Sequence, residues 1–179
     1  MTHITLAVTG SISAYKAADI TSQLTKLGFE VKVLMTPSAQ KFITPLTLQV
    51  LSKNPVGLEV MVEDDPQRIE HIDIGKETDL FLVAPASANT IAKLAMGLAD
   101  NMVTSTALAL PQRTKKLLAP AMNTKMLEHP ATQRNLKLLQ DYGYQIIQPR
   151  DAVLACGDKG AGALAPVETI VETVKENCL

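Results

Sequence analysis

"ITLAVTGSISAYKAADITSQLTKLGFEVKVLM" spans residues 4–35, and its reading decides the fold. Ile4 to Val8 is a short apolar run of strand length. Ala14, Ala17, Ala18, Leu24 and Leu27 then recur near helical spacing, and Gly28 offers a C-terminal stop. Glu30 to Met35 returns to strand character. The same alternation continues. Asp79 to Ala84, Lys115 to Ala119 and Tyr144 to Gln148 read as strands, the last of them closing the set. Asn89 to Gly97, His129 to Gly143 and Pro166 to Asn177 read as helices, with Pro130 in a first turn. Strands separated by helices pair in parallel, so the class is α/β with an open, mostly parallel, doubly wound sheet. The stretch from Thr44 to Arg68 has no clear pattern. Gly97 to Leu110 reads as a helix with more apolar surface than one sheet face needs.

Composition narrows the function. The 179 residues fit one domain, 1–179, with 46% apolar and 20% charged residues. A net charge of −1 gives no electrostatic reason to expect nucleic acid or an anionic membrane. Trp is absent and Phe and Tyr are sparse, which argues against a base-stacking surface. No apolar run is long enough to span a bilayer, and "MTHITLAVTG" lacks the basic start of a signal peptide. Cys156 and Cys178 are too few for a disulfide framework, which suits a reducing cytoplasm. No Cys/His cluster has zinc-ligand spacing, so no metal is expected.

The chemistry lies in the segments after the strands. They are "TGSIS", "TPSAQ", "PASANT", "PAMNTKM" and "PRDAVLACGDKGAGAL". All leave the carboxyl ends of strands, the edge at which open parallel sheets bind ligands. Gly10 and Ser11 open a helix whose free N–H groups suit a phosphate, or else form an ordinary turn capped by Ser13. There is no G-x-G-x-x-G, so a dinucleotide is not favoured. Ser87, Asn89 and Thr90 crowd a second helix start, where one cap would suffice. His71 is the best placed of three histidines for a base, although a lone histidine among apolar neighbours is commonly structural. Asn123 is either a turn former or a neutral amide for a substrate carboxylate. Cys156 lies in the glycine-rich loop from Leu154 to Leu164, as a proton donor on a mobile flap or as a plain surface thiol beside solvated Asp158 and Lys159.

These segments, in this order, resemble the flavin-containing cysteine decarboxylase family. The resemblance runs from "LAVTGSISAYK" through "HIDIGKETDLFLVAPASANTIAKLAMGLADNMVT" and "APAMNTKM" to "LACGDKGAGAL". It implies a Rossmann-like three-layer α/β/α fold, bound FMN, and a homotrimer or higher multiple with active sites between protomers. It implies FMN-dependent decarboxylation of 4'-phospho-N-pantothenoylcysteine to 4'-phosphopantetheine in coenzyme A biosynthesis. By position it assigns FMN to Gly10, Ser11, Ile12, Thr36, Ser38, Ser87, Ala88, Asn89, Thr90 and Ala121. It assigns substrate to Asn123, Met126, Ala155 and Gly157, the base to His71 and the acid to Cys156. Ala163 stands where the family often carries a flap arginine, so the expectation is either looser flap closure or another cation at the substrate. Many bacterial relatives carry a fused synthetase domain, here expected on a separate protein. Two rivals share the fold. A lantibiotic-type decarboxylase of a peptide's C-terminal cysteine would stop at the oxidised enethiol and need no flap thiol. A non-catalytic regulatory flavoprotein would carry an acidic tail.

Overall fold

The computed structural model describes residues 1–63 and 65–178. A five-stranded sheet forms its middle layer. The strands are β1 (His3–Val8), β2 (Glu30–Met35), β3 (Leu80–Ala86), β4 (Lys115–Pro120) and β5 (Tyr144–Ile146). Their order is β2-β1-β3-β4-β5, and every neighbouring pair is parallel. The alternation of strand and helix patterns in the sequence is therefore realised as a doubly wound sheet.

The period of two along each strand sorts side chains onto two faces. Ile4, Leu6 and Val8 of β1 join Val31, Val33 and Met35 of β2 on one face. Helices α1 (Ala17–Lys26), α2 (Pro45–Ser52) and α8 (Val167–Cys178) cover that face through Ile20, Leu24, Leu48, Ile170 and Val174. Ala7, Leu34, Phe81, Val83 and Leu118 point the other way. They meet α3 (Glu70–Glu77), α4 (Ala88–Met96), α5 (Met102–Leu108) and α7 (Pro130–Asp141) through Ile74, Ile91, Leu94, Met102 and Leu139. The short helix α6 (Thr124–Glu128) follows β4.

Three features depart from the sequence reading. The first helix begins as a 3-10 turn, Ile12–Lys16, and Ser11 rather than Ser13 caps it, its Oγ accepting from the Ser13 N–H. Gly97 to Leu110 is not one helix. Gly97 is left-handed and ends α4, and Asn101 opens α5 with a capping box to Thr104. Met102 and Val103 are spent on the chain's own sheet, while Leu98 and Leu108 of this stretch stay exposed, as do Leu46, Val50, Met61 and Ile69 elsewhere. Finally, Tyr144 to Gln148 is not the last strand. The glycine-rich segment is an antiparallel hairpin of β6 (Arg150–Val153) and β7 (Lys159–Ala163). Its composition reads as loop because glycine is a poor strand former.

Strand order reverses between β1 and β3, where the loops after these strands diverge to opposite faces. Thr9 holds the two loop starts together. It is fully buried, its hydroxyl donates to the Pro85 carbonyl at 2.7 Å and accepts from the Ser87 N–H at 2.9 Å. Thr9→Val keeps the shape and removes both bonds. We expect a loss of about 1–3 kcal/mol in a denaturant titration, since two polar groups lose their partner. Ligand affinity at this edge should fall with it.

Candidate active site

Above the carboxyl edge of the sheet lies a cavity of about 510 Å³. It is lined by Gly10, Ser11 and Ile12 after β1, Ser87 and Ala88 after β3, and Ala121, Asn123 and Met126 after β4. Ala155 and Cys156 of the hairpin form its roof. Segments as far apart in the chain as Gly10 and Cys156 thus meet, as the strand-end reading anticipates. Thr36, Ser38, Asn89, Thr90, Gly157 and His71 are not among the lining residues. Thr36 is buried and its Oγ1 accepts from the Ala39 N–H. Ser38 backs Gly10 so closely that a Cβ there would lie 2.5 Å from the Ser38 Cβ, which is why the first loop needs glycine. Thr90 is buried, and its N–H is the donor that Ser87 Oγ caps.

The cavity suits an anion. The N–H groups of Ser11, Ile12, Ala88 and Asn89 have no partner among the described residues, while Ser11 and Ser87 cap the groups beyond them. Two helix starts therefore aim free donors at one place. Among the described residues no Asp or Glu lines the cavity, but Lys16 and Arg150 do. The sequence reading missed both. Arg150 is paired across the hairpin with Ala163, so a cation stands on the facing strand where Ala163 lacks one. Arg150 was illegible as a site residue because its placement depends on the hairpin register. A second cavity, of about 410 Å³, opens at the amino edge of the sheet. There Glu70 pairs with Lys32 and Asp73 with Arg68, which holds the Asp73 carboxyl below its usual range.

The hairpin is docked rather than loose. The Met122 N–H donates to the Gly162 carbonyl at 2.8 Å, and Thr124 Oγ1 donates to the Ala161 carbonyl at 2.6 Å. Gly160 and Gly162 allow this approach, because a Cβ on either would collide with Thr124 or the Met122 carbonyl. These glycines serve contact, not mobility. Docking brings the tip onto Asn123. The Asn123 Oδ1 accepts from the Lys125 N–H at 2.9 Å, which turns Nδ2 toward the hairpin. Nδ2 donates to Cys156 Sγ and to Asp158 Oδ2, each at 3.2 Å. The Cys156 thiol donates to the same Asp158 oxygen at 3.4 Å. Asn123 is thus both a turn former and an amide facing the cavity.

His71 sits in the first turn of α3, and that helix packs on the face opposite α1 and α8. Its Nδ1 is buried without a partner among the described residues. Within one chain it is not brought to the cavity.

A family model described as Flavoprotein matches residues 1–179. The chain belongs to the Flavoprotein family. It is 64% identical over 173 residues to a probable phosphopantothenoylcysteine decarboxylase of Streptococcus mutans, covering 97% of each chain. It is 45% identical to the coenzyme A biosynthesis bifunctional protein CoaBC of Bacillus subtilis, spanning 98% of this chain but 43% of that one. A mutant PPC decarboxylase complexed with pantothenoylaminoethenethiol superposes with a TM-score of 0.90 at 32% identity, over 98% of this chain and 97% of that one. The free donors and the cations fit an anionic ligand, and family membership supports a flavin cofactor. Among the described residues of this flavoprotein, no helix is long and apolar enough to cross a membrane.

Gly162→Ala tests the docking. Its left-handed φ of +135° and the Met122 carbonyl both oppose a side chain. Strain of about 1–3 kcal/mol should lift β7 and cut turnover at least about tenfold. Limited proteolysis should then cleave near residues 154–158 while the sheet stays intact.

Proposed function

We propose that the chain is a phosphopantothenoylcysteine decarboxylase that uses FMN to convert 4'-phospho-N-pantothenoylcysteine into 4'-phosphopantetheine in coenzyme A biosynthesis. One observation carries the reading: a flavoprotein cavity rich in anion donors is roofed by a thiol that touches a backbone-anchored amide. Ser11, Ile12, Ala88 and Asn89 would hold the FMN phosphate through their N–H groups. Lys16 and Arg150 add positive charge for the phosphates of cofactor and substrate.

An aliphatic cysteine carboxylate does not lose CO₂ readily, because its carbanion has no electron sink. Bound FMN would supply the means to one, as a two-electron acceptor for the sulfur-bearing carbon that can later return the hydride. In the resulting thioaldehyde, C=S accepts the electron pair of the breaking C–C bond. His71 acts as the base that takes the thiol proton, reaching the cavity of a neighbouring copy. Its buried, unpartnered Nδ1 and its distance from the chain's own cavity favour a shared site, and a trimer is the assembly we assign. The exposed Leu46, Val50 and Ile69 offer apolar area for such contacts. Asn123 Nδ2 orients the substrate carboxylate as a neutral donor, which does not over-stabilise the charge that must be lost. Cys156 then gives its proton to the carbon vacated by CO₂. This final protonation is what separates the reading from a peptide decarboxylase that stops at the enethiol. A cytoplasmic location follows from the pathway.

The test is turnover of 4'-phospho-N-pantothenoylcysteine with product mass and flavin absorbance followed together. We expect a yellow protein that releases FMN on denaturation, and a saturated product. A colourless protein that takes up no FMN would overturn the reading. His71→Asn should keep FMN and lose about 10²–10⁴-fold in rate. Cys156→Ser should still release CO₂ under anaerobic conditions, but yield a product lighter by two hydrogens.

A further inference from the structure

Asp158 is unused by the proposed chemistry, yet its Oδ2 accepts from both groups that the chemistry needs. Asn123 Nδ2 lies 3.2 Å from it and Cys156 Sγ 3.4 Å. Among the described residues no cation pairs with this carboxylate, so only a neutral amide and a thiol hold it. A substrate carboxylate oriented by Asn123 needs the same Nδ2. Two carboxylates within a few ångströms repel, and the amide cannot serve both at full strength. The entering carboxylate must therefore displace Asp158.

Displacing Asp158 moves Cys156 too. The Leu154 N–H donates to the Asp158 carbonyl at 2.8 Å, and the Gly157 N–H to the Leu154 carbonyl at 2.8 Å. These bonds close the tip into one turn, so its thiol and carboxylate shift as a unit. The flanking strands stay docked through Ala161 and Gly162. We propose that Asp158 is a positioning residue that times the acid: the substrate carboxylate holds the Cys156 turn away from Asn123, and loss of CO₂ lets it return.

This rests on the decarboxylase reading and deepens it. The leaving group is neutral and no longer claims Nδ2. Asp158 swings back and carries the Cys156 S–H toward the carbon that has just lost its carboxylate. That carbon takes the proton with the C=C electron pair of the enethiolate, restoring C=S. Bound FMN, reduced in the first half of the reaction, would supply the hydride that the C=S carbon needs, and water reprotonates the Cys156 thiolate. Were the thiol in place earlier, it would occupy the position the carboxylate must fill. Asp158 thus enforces the order of decarboxylation and protonation with no group beyond those already at the site.

The experiment compares two unreactive ligands on the FMN-loaded protein by calorimetry. One is 4'-phosphopantothenoyl-alanine, which has the carboxylate and no thiol. The other is the matching ethylamide, which has neither. Asp158→Ala should bind the first about tenfold more tightly, because a competing charged acceptor is gone. It should bind the second unchanged. Asp158→Asn, which preserves the volume of the side chain, should show the same split. In anaerobic turnover both variants should release CO₂ and yield a larger share of product lighter by two hydrogens. Equal shifts for the two ligands, or weaker binding of both, would overturn the proposal. So would a fully saturated product at the unaltered rate. If the unaltered protein fails to release CO₂, the decarboxylase reading falls. The ligand pair still decides the exchange at Asn123, since it requires no chemistry.

Discussion

The buried hydroxyl of Thr9 is the bond on which the site depends. It ties the end of β1 to the end of β3 across the point where the sheet reverses its winding. The β1–β3 ladder ends at Ala7 and Val83, and the Thr9 hydroxyl extends the hold beyond it to the first residues of the two loops. With it, two capped helix starts face one cavity and their spare N–H groups sum. A hydroxyl is suited to this place because it donates to one strand's carbonyl and accepts from the other's N–H at once.

Charge is distributed to match. Among the described residues the cavity edge carries two cations, with Asp158 as its neighbour at the roof, whereas the opposite edge of the sheet gathers Glu30, Glu70, Asp73 and Glu77 against Lys32 and Arg68. An overall charge near zero therefore hides a polar axis along the strands. Nucleic acid and membrane surfaces are disfavoured by the total, while a small anion at one end is favoured by the distribution. The one acidic side chain at the roof, Asp158, is held by hydrogen bonds from neutral donors and is thus free to be exchanged.

The hairpin shows how weak strand formers become strands. After Lys159, strand β7 consists only of glycine and alanine, with little local preference for extension. Its pairing with β6 and its bonds to Met122 and Thr124 supply what propensity does not. Smallness is then an asset, since backbone reaches backbone and the flap is seated on the loop that bears Asn123. Gly160 and Gly162 thus fix the base of the hairpin, while the tip is closed separately by the bonds between Leu154, Gly157 and Asp158.

Much of this was legible in the residues alone. The alternation of short apolar runs with helical spacings determined the parallel sheet, because period and burial are local properties of a chain. The hydroxyl-rich strand ends pointed to the sheet edge at which the cavity lies, because a doubly wound sheet favours one edge for ligands. Gly10, Ser11, Ser87, Asn123 and Cys156 were readable for that reason. What only the tertiary structure decided depends on register and on contacts across long stretches of chain. The bridging role of Thr9, the hairpin, Arg150 opposite Ala163, and the shared hold of Asn123 on Cys156 and Asp158 belong here. So does the placement of His71 away from the chain's own cavity. None has a sequence signature, because a threonine, an arginine or an aspartate takes its function from the partner that folding puts within reach.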